Sequence, residues 1–260
     1  MEEKDREKIR QIIKDRGIRY LFHFTPLNNL DYILKERLKS RKEIEQERDK
    51  YPDSIFPDDV RADRRKNGIC LSISFPNDEM FPRFRQRIDG NWAIIVLDID
   101  LILEIKDQKI LFFDTNSANS KFRNIDDKSL ETAIAFESLF AEKVSDKYKT
   151  WRRPKPENES MFYKMCPTSV QAEVMVTSHI ETDYIKAVIL DTKELASYYC
   201  DKYKYLYTYY GRPDTYMFPL ALYSFFYHDE KFFGFFYDEE HFGKREDYLN
   251  NDLNNFEFWQ

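Results

Sequence analysis

Six apolar runs of strand character, with no helices at regular intervals between them, constrain this chain more than any other feature. They lie at 19–25 (RYLFHFT), 69–75 (ICLSISF), 92–99 (WAIIVLDI), 109–113 (KILFF), 171–180 (QAEVMVTSHI) and 185–190 (IKAVIL). β-Branched and aromatic residues dominate them, or apolar and polar residues alternate. A parallel sheet needs a crossover of a dozen or more residues between neighbouring strands, usually a helix, and that regular βαβ alternation is missing. The class is therefore α+β. Helices are expected at 3–15, where Ile9, Ile12 and Ile13 share a face. Another is expected after Pro26, where Leu27, Leu30, Ile33 and Leu34 recur at helical spacing. Further helices are expected at 127–142, with Leu130, Ile134, Leu139 and Phe140 lining one side, and from about 193. Residues 41–67 are highly charged, hold two prolines and read as a long surface segment, a binding loop or a mobile cover.

Composition removes several function classes. The chain is long enough to bury a full core, and no stretch approaches the ~20 consecutive apolar residues of a membrane span. The start, MEEKDREKIRQIIKDRG, has no apolar signal region, so a soluble, cytoplasmic protein without a membrane partner is expected. Cys70, Cys166 and Cys200 are odd in number and far apart, without metal-ligand spacing, so neither disulfides nor a metal is expected. The net charge of −6 argues against a uniformly basic nucleic-acid binder. Residues 1–97 nevertheless carry 21 Lys/Arg against 18 Asp/Glu, leaving room for a local basic face. The six glycines form no GxGxxG, P-loop or GxSxG pattern, so any nucleotide is held without a glycine-rich loop. From residue 198 the composition changes: 23 of the 43 aromatic residues lie there, among more acids than bases. Rings of this kind ordinarily pack, and the acid excess repels phosphate. The organisation is thus 1–197 as the main domain and 198–260 as an aromatic-rich C-terminal extension packing on it.

Three spaced features belong together: FHFT at 22–25, where a histidine and a threonine end a strand just before a helix; the arginine-bearing VRADRR at 60–65 before ICLSISFPN; and PTSVQAEVMV at 167–176. In order and spacing, from about Tyr20 to Leu190, the sequence resembles the DarT family of NAD-dependent DNA ADP-ribosyltransferases, bacterial toxins paired with macrodomain antitoxins of the DarG type. The resemblance implies an ADP-ribosyltransferase-like fold with a central mixed or antiparallel β core flanked by helices. NAD is then the substrate, no metal is needed and the protein acts as a monomer.

What the family uses falls on specific positions here. Glu173 matches the catalytic glutamate, a carboxylate able to stabilise positive charge developing on the ribose as nicotinamide departs. His23 matches the histidine that binds the cofactor's ribose and amide, for which a neutral ring supplies one donor and one acceptor. Phe24, Thr25 and Tyr32 are implied around the cofactor; Tyr32 departs from the glycine often found there. The family's NAD-contacting arginine, also credited with activating the acceptor, falls on Arg61, Arg64 or Arg65, with Arg61 favoured by its R-x-D arrangement with Asp63. The acceptor implied is an unpaired base of single-stranded DNA, guanine over thymine. Two basic segments, 83–87 and 147–164, are expected to guide the strand, with Trp151, Phe162 or Tyr163 stacking on a base. The rival readings are the same chemistry on RNA or protein, and a nonenzymatic binding protein of this fold. All of them require His23 and Glu173 to meet at one cleft.

Overall fold

The computed structural model describes residues 1–57, 62–155, 161–204 and 206–210. The chain divides into two compact units between Lys186 and Ala187. The first opens with α1 (Glu3–Arg16), whose Ile9 and Ile13 are buried and whose C-terminus is closed by Gly17 at a left-handed φ of 69°. Arg6 is buried on the same face, and its guanidinium donates to the carbonyls of Ile102, Leu103 and Ile105. It thereby satisfies orphan acceptors at the end of the short helix α5 (Leu101–Glu104).

β1 (Tyr20–Pro26) leads through a 3-10 turn into α2 (Leu30–Lys35) and β2 (Arg37–Lys39). Then come α3 (Arg41–Gln46), β3 (Gly68–Ile73), α4 (Phe81–Arg87), β4 (Trp92–Asp98) and, after α5, β5 (Ile110–Phe113). α6 (Asp127–Leu130) and α7 (Ala133–Ser138) precede a hairpin of β6 (Lys143–Ser145) and β7 (Thr150–Arg152). α8 (Met161–Met165), β8 (Glu173–Thr177) and β9 (His179–Glu181) follow. The strands β4, β1, β3, β8 and β5 lie side by side in that order, each antiparallel to the next. The fold is α+β with a central antiparallel sheet. β4 is buried from Trp92 to Leu97, which explains its unbroken apolar run: a strand covered on both faces has no polar side to alternate.

Three elements depart from the sequence expectation. The helix over 127–142 is two short helices, because Thr132 takes an extended conformation and caps α7, its hydroxyl accepting from the Ala135 N–H at 3.1 Å. The break turns Ile134 out to 78% exposure, while Leu130, Phe136, Leu139 and Phe140 stay buried. The run 171–180 bends at Ser178, where φ is 75°, and becomes β8 and β9. The charged 41–67 segment is folded over much of its length: Ser40 and Glu43 form a capping box that starts α3, and Tyr51 is buried.

β10 (Ile185–Leu190), which begins just before the boundary, forms a parallel β–α–β unit with α9 (Lys193–Lys202) and β11 (Tyr207–Tyr210) of the second unit, Ala187 lying opposite Tyr207. Thr192 caps α9 by accepting from the Leu195 N–H at 3.3 Å. Tyr199 and Tyr203 are buried with rings stacked 6.1 Å apart, and Tyr198 is exposed. Most of the aromatic tail, residues 211–260, lies outside the described residues. Among the described residues no helix is long and apolar enough to cross a membrane.

Candidate active site

A cavity of about 290 Å³ opens over the middle of the antiparallel sheet. His23 and Glu173 both line it, although they lie 150 positions apart in the chain. The strand order brings them together: β3 lies between β1, which carries His23, and β8, which begins at Glu173.

Glu173 is buried, 6% exposed, and held at both carboxylate oxygens. The Asn116 amide donates to Oε1 at 3.0 Å, and the Ser117 backbone N–H donates to Oε2 at 3.2 Å. One donor on each oxygen fixes the plane of the group. Both donors come from the turn that follows β5, whose last residue, Phe113, faces Glu173 in the ladder. The Ser117 hydroxyl also donates to Asp63 Oδ2 at 3.4 Å, and Asp63 Oδ1 accepts from the Arg65 N–H at 3.0 Å. The arginine-bearing loop is therefore coupled to the carboxylate through one serine. Asn116 and Ser117 were not foreseen; the signal was the polar run DTNSANS immediately after the strand KILFF.

His23 sits opposite Ile95 of β4, and its Nδ1 lies 3.0 Å from the Cys70 carbonyl oxygen of β3. A carbonyl only accepts, so Nδ1 carries the proton and, in the neutral ring, Nε2 is the acceptor. Thr25 is buried and accepts from the Asn29 amide at 2.8 Å. Asn29 also pairs with the backbone of Ile55 in both directions, donating to its carbonyl at 2.8 Å and accepting from its N–H at 2.9 Å. It thus pins the covering segment to the end of β1. Phe24 borders the cavity, and its ring packs against Phe81, Phe84 and Trp92 at 4.7, 5.9 and 6.3 Å.

Tyr32 lines the cavity and meets the buried Tyr51 edge-on at 5.3 Å. The Tyr51 hydroxyl donates to Glu36 and accepts from Lys39, which also pairs with Glu36 at 2.8 Å and Glu47 at 3.1 Å. Burial works against the Lys39 charge, but these hydrogen bonds outweigh it and hold the ammonium well above its ordinary range. Glu36 is held below the usual carboxylate range, first by Lys39 and then by Tyr51.

On the other side of the cavity, the Asn77 amide donates to Gln171 Oε1 at 3.2 Å, and Gln171 Nε2 donates to Glu79 Oε2 at 2.9 Å. The asparagine ending ICLSISFPN and the glutamine opening QAE are thus partners, which binds the strand of Glu173 to the segment after β3. Of the three arginines weighed for the cofactor, Arg61 lies outside the described residues. Arg64 is exposed with a φ of 62°. Arg65 turns to Asp127 at 3.5 Å and covers the Phe113 ring at 5.4 Å. The 83–87 segment forms most of α4. In the 147–164 segment Trp151 is 8% exposed, facing inward from β7, so its ring has no free face for a base. Tyr163 is 40% exposed, and the Phe162 side chain lies outside the described ones. Among the described residues no three His, Cys, Asp or Glu side chains gather as a metal site.

A family model described as ssDNA thymidine ADP-ribosyltransferase, DarT, matches residues 22–216. No curated protein matches the chain. Solved structures to which it is similar include Thermosipho africanus DarTG in complex with ADP-ribose, at 15% identity and TM-score 0.46, covering 74% of this chain and 49% of that one. The chain thus spans about half the length of that protein. Thermus sp. 2.9 DarT in complex with NAD+ is 12% identical at TM-score 0.44, covering 74% of this chain and 95% of that one. The same protein in complex with ADP-ribosylated ssDNA is 12% identical at TM-score 0.47, with 74% and 94% covered. The family match spans well over half the sequence, including His23 and Glu173, and the chain belongs to the DarT family of ssDNA ADP-ribosyltransferases.

Proposed function

We propose that this protein transfers the ADP-ribosyl group of NAD to a base of single-stranded DNA and releases nicotinamide. The observation that carries the reading is the shared cavity of His23 and Glu173, with the glutamate held by Asn116 and Ser117. The residues present suit a dinucleotide: a polar end at His23, Thr25 and Glu173, and the aromatic ring of Tyr32 elsewhere in the same cavity. NAD supplies the ribosyl carbon, whose bond to the nicotinamide nitrogen breaks as a bond to the base forms. His23, with Nδ1 engaged on Cys70, orients the ribose and amide through its other edge. Glu173 stabilises the positive charge that grows at the ribosyl carbon, from a carboxylate already desolvated and fixed in direction. It also accepts the proton that the attacking base nitrogen loses. Arg61 is the proposed contact to NAD and helper of the acceptor.

Guanine is the proposed acceptor, on the resemblance of the CLSISFPN block to the guanine-modifying branch; its exocyclic amine becomes a nucleophile only as it is deprotonated, a task within reach of Glu173. The second reading is thymine, favoured by the description of the matching family. Around this activity we place a cytoplasmic monomeric toxin restrained by a macrodomain antitoxin of the DarG type, with 1–197 as the catalytic domain and 198–260 as its extension. Mass spectrometry of nucleosides from a defined oligonucleotide treated with protein and NAD tests the core of the proposal. An ADP-ribosylated deoxyguanosine supports it, an ADP-ribosylated thymidine selects the second reading, and modification of RNA or protein but not DNA overturns both.

A further inference from the structure

The β6–β7 hairpin carries features that the cavity does not use. Its inner face is apolar, with Val144 and Trp151 paired across the strands and buried. Its outer face stacks two more pairs: Lys143 opposite Arg152, and Ser145 opposite Thr150, whose hydroxyls bond at 2.9 Å. Like charges directly opposite one another destabilise a strand pair, and no carboxylate among the described residues relieves Lys143 or Arg152 with an ion pair. At the turn Tyr148 is 87% exposed, more than any other large hydrophobic side chain among the described residues. Lys147 lies 5.3 Å from its ring centroid. The carboxylates that would weaken an anion site are mostly engaged. Asp146 accepts from the Tyr148 and Lys149 N–H groups, both at 2.7 Å, and Glu79 is paired with Lys149 and Gln171. Glu142 beside Lys143 is exposed, and the exposed cations Lys143, Lys147 and Arg152 outnumber it.

The hairpin is linked to the cavity wall through a chain of side chains. Lys149 reaches Glu79, Glu79 accepts from Gln171 at 2.9 Å, and Gln171 bonds at 3.2 Å to Asn77, which lines the cavity wall. The hairpin surface offers paired cations, hydroxyls and one exposed aromatic ring. Unpaired nucleic acid has the complementary chemistry, with phosphates for the cations and a free base face for the ring. A duplex hides its base faces, and an acidic peptide has none.

We infer that the outer face of the β6–β7 hairpin is a binding strip for single-stranded DNA, in which Lys143 and Arg152 clamp phosphate and Tyr148 stacks on a base outside the reacting position. The inference rests on the proposed action on single-stranded DNA, and it moves base stacking in this region from Trp151 to Tyr148.

The test is fluorescence anisotropy of a labelled single-stranded oligonucleotide of mixed sequence, titrated with the full chain carrying Glu173→Ala so that no turnover interferes. Tyr148→Ala in that background is expected to weaken binding about tenfold, and Tyr148→Phe to restore it. Lys143→Ala with Arg152→Ala is expected to lower the slope of log affinity against log salt by about 0.7 for each phosphate lost. All three side chains point to solvent, so the melting temperature of each variant should match that of its parent. Unchanged affinity and salt slope, no measurable single-strand binding by the parent, or equal loss of binding to the matching duplex or to an acidic peptide overturns the strip. Nucleoside mass spectrometry separates this from the activity itself: hairpin-dependent binding without base modification leaves the strip and removes the proposed reaction, whereas modification unaffected by Tyr148→Ala at limiting DNA does the reverse.

Discussion

Each oxygen of the Glu173 carboxyl accepts a hydrogen bond from the turn after β5, so the group is aimed before any ligand arrives. Replacing it by glutamine keeps the volume and removes the charge. Transfer by Glu173→Gln is expected to fall at least about 10²-fold, with NAD affinity retained, as measured by nicotinamide release and calorimetric NAD titration. Near-normal turnover would remove Glu173 from the chemistry. Asn116 acts through Glu173 and is a positioning residue. Asn116→Ala leaves Oε1 without its amide donor and is expected to lower kcat about tenfold, the size of one lost charge-assisted hydrogen bond, while KM for NAD stays near its starting value. Parallel loss of kcat and thermal stability, with KM rising, would instead mark Asn116 as a purely structural residue.

The cavity walls are held by short elements whose contacts set their stability. β3 contains Gly68, where a Cβ would fall 2.3 Å from the Sδ and 2.7 Å from the Cγ of Met175 in β8, a side chain that is fully buried. Gly68→Ala must therefore displace the methionine, and a cost of about 1–3 kcal/mol is expected in urea unfolding; an unchanged midpoint would show that Met175 repacks at no cost. The covering segment is tied to α2 and β2 through Lys39, Glu36 and Tyr51. Because Glu36 titrates lower in the folded protein than the ordinary 4.5, its pairing adds stability above that pH and loses it as acid protonates the folded carboxylate. Between neutrality and strong acid, the wild-type urea midpoint is expected to fall further than that of Glu36→Gln. An equal fall in both would assign acid sensitivity to other groups.

Across the whole molecule, expression in bacteria is expected to arrest growth and Glu173→Ala to restore it; full toxicity of that variant would contradict the proposed reaction. Much of the architecture was legible in the chain. Strands buried on both faces read as apolar runs, and α1 showed the spacing that an amphipathic helix needs. The division at Thr132 was not, because helical periodicity continues through a cap that only the backbone reveals. His23 and Glu173 were marked by the company they keep in sequence, but nothing local states that they share a cavity. By itself the sequence determined the α+β class, the positions of β1, β3, β4, β5, β8 and β10 though not of the short strands β2, β6, β7 and β11, and the types of residue at the two ends of the chemistry, since propensity and side-chain alternation act over a few neighbours. Only the tertiary structure decided that β3 would stand between β1 and β8, that Asn116 would hold a carboxylate 57 positions away, and that Trp151 would face inward and Tyr148 outward. Those outcomes depend on strand order and register, which arise when distant segments compete to bury the same apolar faces.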